Sequence, residues 1–346
     1  MNEAKLCFSL GILKHFINDA LFLHDKNISG FELIEPMLSA TAHNTYFETV
    51  SNKADTIYLR VKESLTEMIT YSYLDYIKRL SNKFCWKEKP VILAFDYTDE
   101  DYYGTNEGMY LHGWTGKSGV TAKFKFLTCS IVSDDIPEKI PLISIPIHMG
   151  HYKSYAITHC LSLIKDLVGE IKLILFDRGF YDKDLMFELQ NGRYPYLIFV
   201  PKHKDKQEIL YPLQKFEKIA IYNEFKINKN KSYFKSENIL IFLKEIYDKR
   251  SNRSYDWVFA TNMNDLDLDT LIKTYKKRWR IETAFRVQDE ARIKCKSKDV
   301  KIRYFLFMFQ QMLQVQWVCF YKEEVSFKNF NIHIHEISKK WTRKNS

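Results

Sequence analysis

The chain has 346 residues, 46% hydrophobic and 27% charged, which is enough for two or three domains with substantial cores and too apolar for a disordered tail. Only 11 glycines and 8 prolines argue against long linkers, collagen-like repeats and low-complexity arms. Six cysteines (Cys7, Cys85, Cys129, Cys160, Cys295, Cys319) lie far apart with no C-x-x-C pair, so neither a zinc ribbon nor a disulfide framework is indicated, and a reducing, cytoplasmic setting is expected. The formal charge of +9 is unevenly placed, because residues 270–346 hold 18 basic and 7 acidic side chains behind a near-neutral body. A concentrated positive region suits a polyanion, while a solvated lysine-rich face is the plainer reading.

In chain order, residues 1–88 read as a helical domain. Apolar residues recur at spacings of three and four in ILKHFINDALFL and SLTEMITYSYLDYIKRL. Lys14, His15 and Asp19 interrupt the first of these and spoil a signal-peptide core. Within 41–65, two short helical stretches flank a Ser51–Asn52 turn; this suits either a DNA-reading helix-turn-helix or a plain helical bundle. The texture changes at Lys89–Pro90. Residues 91–96 (VILAFD), 123–132, 140–147, 171–177 (IKLILFD) and 196–200 read as buried strands, with helices at 152–168 and 182–191, an α/β layout over 89–201. Residues 202–256 read as a β-rich insertion, and 257–346 completes the core with strand 257–262, a long helix from Leu268 and a basic helical end. The apolar run 304–321 approaches membrane-spanning length, but Gln310, Gln311, Gln314 and Gln316 favour a buried helix, so no membrane association is expected.

Three acids stand out. Asp96 and Asp177 each end an apolar strand, where an open α/β sheet presents ligand-binding side chains, although buried strands also end in Asp simply because a turn begins. In YKKRWRIETAFR, Tyr275, Arg278, Glu282 and Arg286 fall on one helix face; an ordinary ion-pair ladder has the same spacing. Carboxylates converging at a sheet edge suit Mg²⁺, which takes hard oxygen ligands. His148 with His151, and His333 with His335, lack Cys or carboxylate partners at zinc spacing and read as structural. Asp99, Glu100 and Asp101 read as a solvated turn.

Taken together these segments resemble the DDE transposases of bacterial and archaeal insertion sequences, in the branch with a β-rich insertion before the final acid. The residues that carry the resemblance are Asp96 in ILAFDYTDEDYYG, Asp177 with Gly179 and Tyr181 in a D-x-G-x-Y motif, and Tyr275, Arg278 and Glu282 in Y-x2-R-x3-E. The branch continues with a Lys seven residues after the Glu, where this chain has Asp289; Arg286 or Arg292 stands nearby as a substitute charge. The resemblance implies an α/β fold with an RNase H-like catalytic core, and catalysis by Asp96, Asp177 and Glu282 holding two Mg²⁺ ions, with Mn²⁺ as a substitute. It also implies contacts to DNA from Tyr275, Arg278, Trp279, Arg286 and Arg292. The implied partners are double-stranded DNA, both the terminal inverted repeats and the target, and a second copy of the chain in a synaptic dimer or larger assembly. Two alternatives are a transposase-derived DNA-binding protein without strand transfer and a metal-dependent nuclease that cuts without joining.

Overall fold

The computed structural model describes residues 2–23, 30–52, 54–113, 116, 118–134, 136, 140–201, 219–226, 235–248, 252–263 and 268–345. Five helices open the chain: α1 (Glu3–Leu21), α2 (Gly30–His43), α3 (Phe47–Val50), α4 (Ala54–Glu63) and α5 (Thr66–Lys83). Asn2 caps α1 by accepting a hydrogen bond from Ala4 N. Within 41–65, α3 is a single turn, and α4 buries Ile57, Tyr58 and Val61 while leaving Leu59 exposed.

The α/β part follows with β1 (Val91–Tyr102), β2 (His112–Gly113), β3 (Ala122–Ile131), β4 (Ile140–Ile147), α6 (Lys153–Ile164), β5 (Ile171–Phe176), α7 (Lys183–Asn191) and β6 (Tyr196–Phe199). Strands β7 (Ile219–Lys226), β8 (Lys235–Asp248) and β9 (Arg253–Thr261) come from the predicted insertion and the strand after it. All nine form one sheet in the order β2-β3-β1-β5-β6-β9-β8-β7, with β4 also on β3. Strand β1 is antiparallel to β3 and parallel to β5, and β5 is parallel to β6. The insertion strands extend the sheet antiparallel from β6, so they add to the same layer.

Strand parity sets the faces. Leu93, Phe95, Ile174 and Phe176 join the large core shared with the N-terminal helices, whereas Ala94, Leu173 and Leu175 join a second core on the opposite face with Leu271, Tyr275 and Ile281. The second core is covered by α8 (Leu268–Lys276) and α9 (Trp279–Gln288). On the first face lies α10 (Val300–Phe320), buried on nearly every side, with Phe307 stacked 4.4 Å from Phe126. Two of its glutamines bond inside the protein: Gln311 accepts from Ser144 Oγ at 2.9 Å, and Gln314 donates to the Ala284 carbonyl at 2.7 Å. Among the described residues no helix is long and apolar enough to cross a membrane. The last helix, α11 (Phe327–Asn345), packs against α1 and α2.

Three expectations need correction. Asp96 does not end its strand, because β1 continues six residues in register with β3 as far as Tyr102. Asp99 and Asp101 stand opposite Lys125 and Lys123, so opposite charges across the pair hold polar residues in a strand that sequence alone reads as a solvated turn. The long helix from Leu268 is two helices. At their junction Arg278 N, Arg280 N and Ile281 N bond carbonyls three residues back, and Asp134 ties Lys277 (2.5 Å) and Arg280 (2.7 Å) to the sheet. The acid-rich approach to α8 at 264–267 lies outside the described residues.

Candidate functional site

Parity that sends Ala94 to the α8–α9 face sends Asp96 there too, and Asp177 follows Leu173 and Leu175 to the same face. The last parallel pair is Phe95 with Phe176, so the two acids stand one residue beyond it on neighbouring strands, ~5 Å apart in the hydrogen-bonding direction. Asp177 also begins a short 3-10 turn, its carboxylate accepting from Arg178 N at 2.6 Å. Lys153 at the start of α6 donates to the Gly179 carbonyl at 2.7 Å and ties that turn down. Asp96 accepts from Tyr97 N at 2.8 Å.

Arg278 brings the third acid to this edge. Its guanidinium donates to Asp96 Oδ2 at 3.2 Å and to Glu282 Oε1 at 2.6 Å, and its side chain is 5% exposed. Glu282, one turn along α9, remains about half exposed. Burial pushes the Asp96 carboxyl up to about 6; Arg278 and the Tyr97 amide pull the other way, and Glu282 and Asp177 push it further. The acids therefore form an electrostatically coupled group around one buried cation.

Hard divalent ions fit part of this group. Mg²⁺ is commonly held through one or two carboxylates, and Asp96 with Asp177 offers that donor set beside an ionisation that Arg278 only partly relieves. Glu282 does not complete a closed cradle: among the described residues no three His, Cys, Asp or Glu side chains are gathered tightly enough to hold an ion. The guanidinium spans the gap between Asp96 and Glu282 instead.

The residues expected to touch DNA divide into two groups. Tyr275 is buried, packs on Phe259 at 4.7 Å and gives its hydroxyl to the Phe176 carbonyl at 3.4 Å, so it supports the site from beneath and does not meet solvent. Arg278 likewise points inward. Trp279 is 37% exposed with its edge against Trp257, Arg286 lies exposed on the last turn of α9, and Arg292 is half buried beyond it. The rings of His148 and His151 lie 3.6 Å apart, tilted to one another, and each accepts a backbone N–H at Nδ1, from Gly150 and His148, which makes them turn-stabilising residues. Sequence reasoning missed the buried pair of Arg303 with Glu100 at 3.3 Å. The alternation of Tyr102, Glu100 and Thr98 along an extended β1 was the available signal. A cavity of about 310 Å³ between α1 and α5, lined by Phe8, Phe16, Tyr76 and Phe320, includes none of the acids.

The family model described as "Transposase DDE domain" matches residues 148–308, a span that contains Asp177 and Glu282. Among solved structures, a cryo-EM structure of the piggyBac transposase synaptic complex with hairpin DNA is similar over 98% of this chain and 79% of its own, at a TM-score of 0.60 and 11% identity. At that identity the likeness is one of fold. No curated protein matches the sequence.

Proposed function

We propose that the chain is a DDE transposase that cuts DNA at the ends of an insertion sequence and joins them to a target. The observation that carries this reading is the placing of Asp96 and Asp177 side by side on neighbouring parallel strands, 81 residues apart in sequence, with Arg278 bridging Asp96 to Glu282, 105 residues further on. The match of residues 148–308 to a transposase DDE domain supports it. The order β4-β3-β1-β5-β6, three antiparallel strands followed by two parallel ones, supports an RNase H-like core within the larger sheet. Double-stranded DNA is the proposed partner, a dimer or larger assembly the proposed working form, and the bacterial or archaeal cytoplasm the proposed setting.

Asp96 and Asp177, with Glu282 once released from Arg278, are the proposed ligands for two Mg²⁺ ions, for which Mn²⁺ substitutes. Bound metal of this kind activates an attacking oxygen and stabilises the leaving oxygen of a phosphodiester. The chain's own contribution is positional. The parallel strands fix the two aspartates, the Asp134 ties fix the α8–α9 junction, and Arg278 neutralises the acids while their side chains are crowded together. Exposed Trp279 and Arg286 are left to meet DNA, the first by stacking and the second through phosphate.

The test uses DNA carrying the terminal repeats that flank the gene, with Mg²⁺. Cleavage with joining is expected, and Asp177→Ala and Glu282→Ala should abolish both while DNA binding persists. Joining by the Glu282→Ala protein would refute the assignment of the triad. Cutting without joining would favour a nuclease, and binding without cutting a transposase-derived DNA-binding protein.

A further inference from the structure

Beyond α9 the chain runs through a short 3-10 turn at Asp289–Ala291 and then, before α10, through an irregular stretch whose sequence is R-I-K-C-K-S-K. Ile293 is buried, and Cys295 and Ser297 are half buried, while Lys294, Lys296 and Lys298 are exposed. This period of two belongs to an extended chain with one face inward and one outward. The backbone is extended at Arg292 and Asp299, and Lys294 forms a parallel bridge with Tyr46 of the N-terminal helical region.

The stretch is held at almost every residue. Lys294 N donates to the Thr45 carbonyl at 2.9 Å, and the Lys294 carbonyl accepts from Phe47 N at 3.1 Å. Lys296 N donates to Glu48 Oε1 at 3.2 Å. From beneath, the buried Arg303 donates through Nη2 to the Cys295 carbonyl and through Nε to the Ser297 carbonyl, both at 2.8 Å, while Glu100 at the far end of β1 holds Arg303 in place. Lys301, just after, is spent on the Lys62 and Ser64 carbonyls, so the fold separates structural lysines from presented ones. Lys296 additionally lies 5.2 Å over the ring of Tyr46.

We infer that Lys294, Lys296 and Lys298 form a rigid comb that grips the phosphate backbone of duplex DNA, an inference that rests on the transposase reading above. Alternate residues of an extended chain advance ~6.7 Å, a step comparable with the through-space separation of neighbouring phosphates on one DNA strand, so successive lysines can each meet a phosphate. Asp289, Glu290 and Asp299 lie at the two ends of the comb, and of the acids nearer its centre Glu48 accepts from the Lys296 backbone and Glu100 is paired with Arg303. Lys294 and Arg292 share a cavity of about 180 Å³ with Glu100, Asp101 and Tyr103. Asp101 is five residues along β1 from Asp96, so the comb lies ~17 Å from the acids, about five base pairs along a duplex. Because the backbone is already fixed, little ordering entropy is lost when DNA arrives.

The test measures binding of the full chain to a labelled duplex of ~40 random base pairs as a function of salt. The variant Lys294→Ala, Lys296→Ala, Lys298→Ala should show a log-log slope shallower by about 2.7, at ~0.9 per phosphate contact, so its affinity loss between 50 and 200 mM salt is about 40-fold smaller than wild type. The triple Lys→Arg variant should restore the slope, and a control removing exposed Lys78, Lys87 and Lys172 should leave it unchanged. Wild type and the triple Ala variant sharing one steep slope would overturn the comb alone. A wild-type chain without measurable affinity at low salt would overturn both the comb and the transposase reading.

Discussion

Asp96→Asn should make the metal-free protein more stable while destroying the proposed chemistry. In the fold burial pushes the Asp96 carboxyl up to about 6, so the neutral form is favoured relative to the unfolded chain. The sign follows from linkage: stability from this group is full below the unfolded value of ~3.9 and is lost as pH rises through about 6. At 1.36 kcal/mol per pH unit, the ionised carboxylate costs the fold about 1.5 kcal/mol at pH 5 and about 3 kcal/mol above pH 7. Asparagine keeps the shape and has no proton to lose, so the variant escapes the whole cost; the attraction of Arg278 is already contained in the pKa. With an unfolding entropy of ~2.1 cal/mol/K per residue over the 346-residue chain, the variant should melt about 2 °C above wild type at pH 5 and about 4 °C above it at pH 7.5. Differential scanning calorimetry in chelator at several pH values reads this directly. A variant that melts below wild type at pH 7.5, or a difference that does not grow between pH 5 and 7.5, would refute the reasoning.

Arg303→Met should cost about 3–5 kcal/mol in urea denaturation, because it leaves Glu100 buried without its cation; adding Glu100→Met should recover much of the loss, and a single variant within about 1 kcal/mol of wild type would count against the buried pair. Phe307→Ala should cost about 3–5 kcal/mol by the same measurement, since the ring is buried and stacked on Phe126, and a loss under about 1.5 kcal/mol would mean the core collapses around the gap. Gln316 is fully buried with neither amide atom bonded among the described residues, so Gln316→Met should stabilise by about 1 kcal/mol or more; destabilisation would show that the amide is satisfied.

The adjacency of Asp96 and Asp177 was legible in the sequence because strand parity is a property of the sequence. VILAFD and IKLILFD each show a continuous apolar run closed by an acid, and once the two strands pair in parallel with Phe95 against Phe176, Asp96 and Asp177 must be neighbours. What could not be read was long-range. The continuation of β1 through Asp99–Asp101 depends on lysines of β3 more than 20 residues away, and its polar composition matches a turn equally well. The break between α8 and α9 depends on Asp134, an exposed acid between β3 and β4 that no local pattern links to Lys277. Helical periodicity put Arg278 and Glu282 on one face, yet which way that face turned was a matter of the second core, so Arg278 was assigned to DNA when it is directed at Asp96.

The pairing of the first helix with the last has a consequence for how this protein comes into being. Lys5 forms an ion pair with Glu324 at 2.6 Å, Ser9 and the Lys5 carbonyl both bond the Tyr321 hydroxyl, and α11 covers α1 and α2. Until α10 and α11 are made, α1 and α2 lack their cover and Ala284 of α9 lacks the Gln314 amide that bonds its carbonyl. Packing of the N-terminal helices therefore waits for helices made much later in the chain. A chain broken before α11 would leave the faces of α1 and α2 that α11 covers in water.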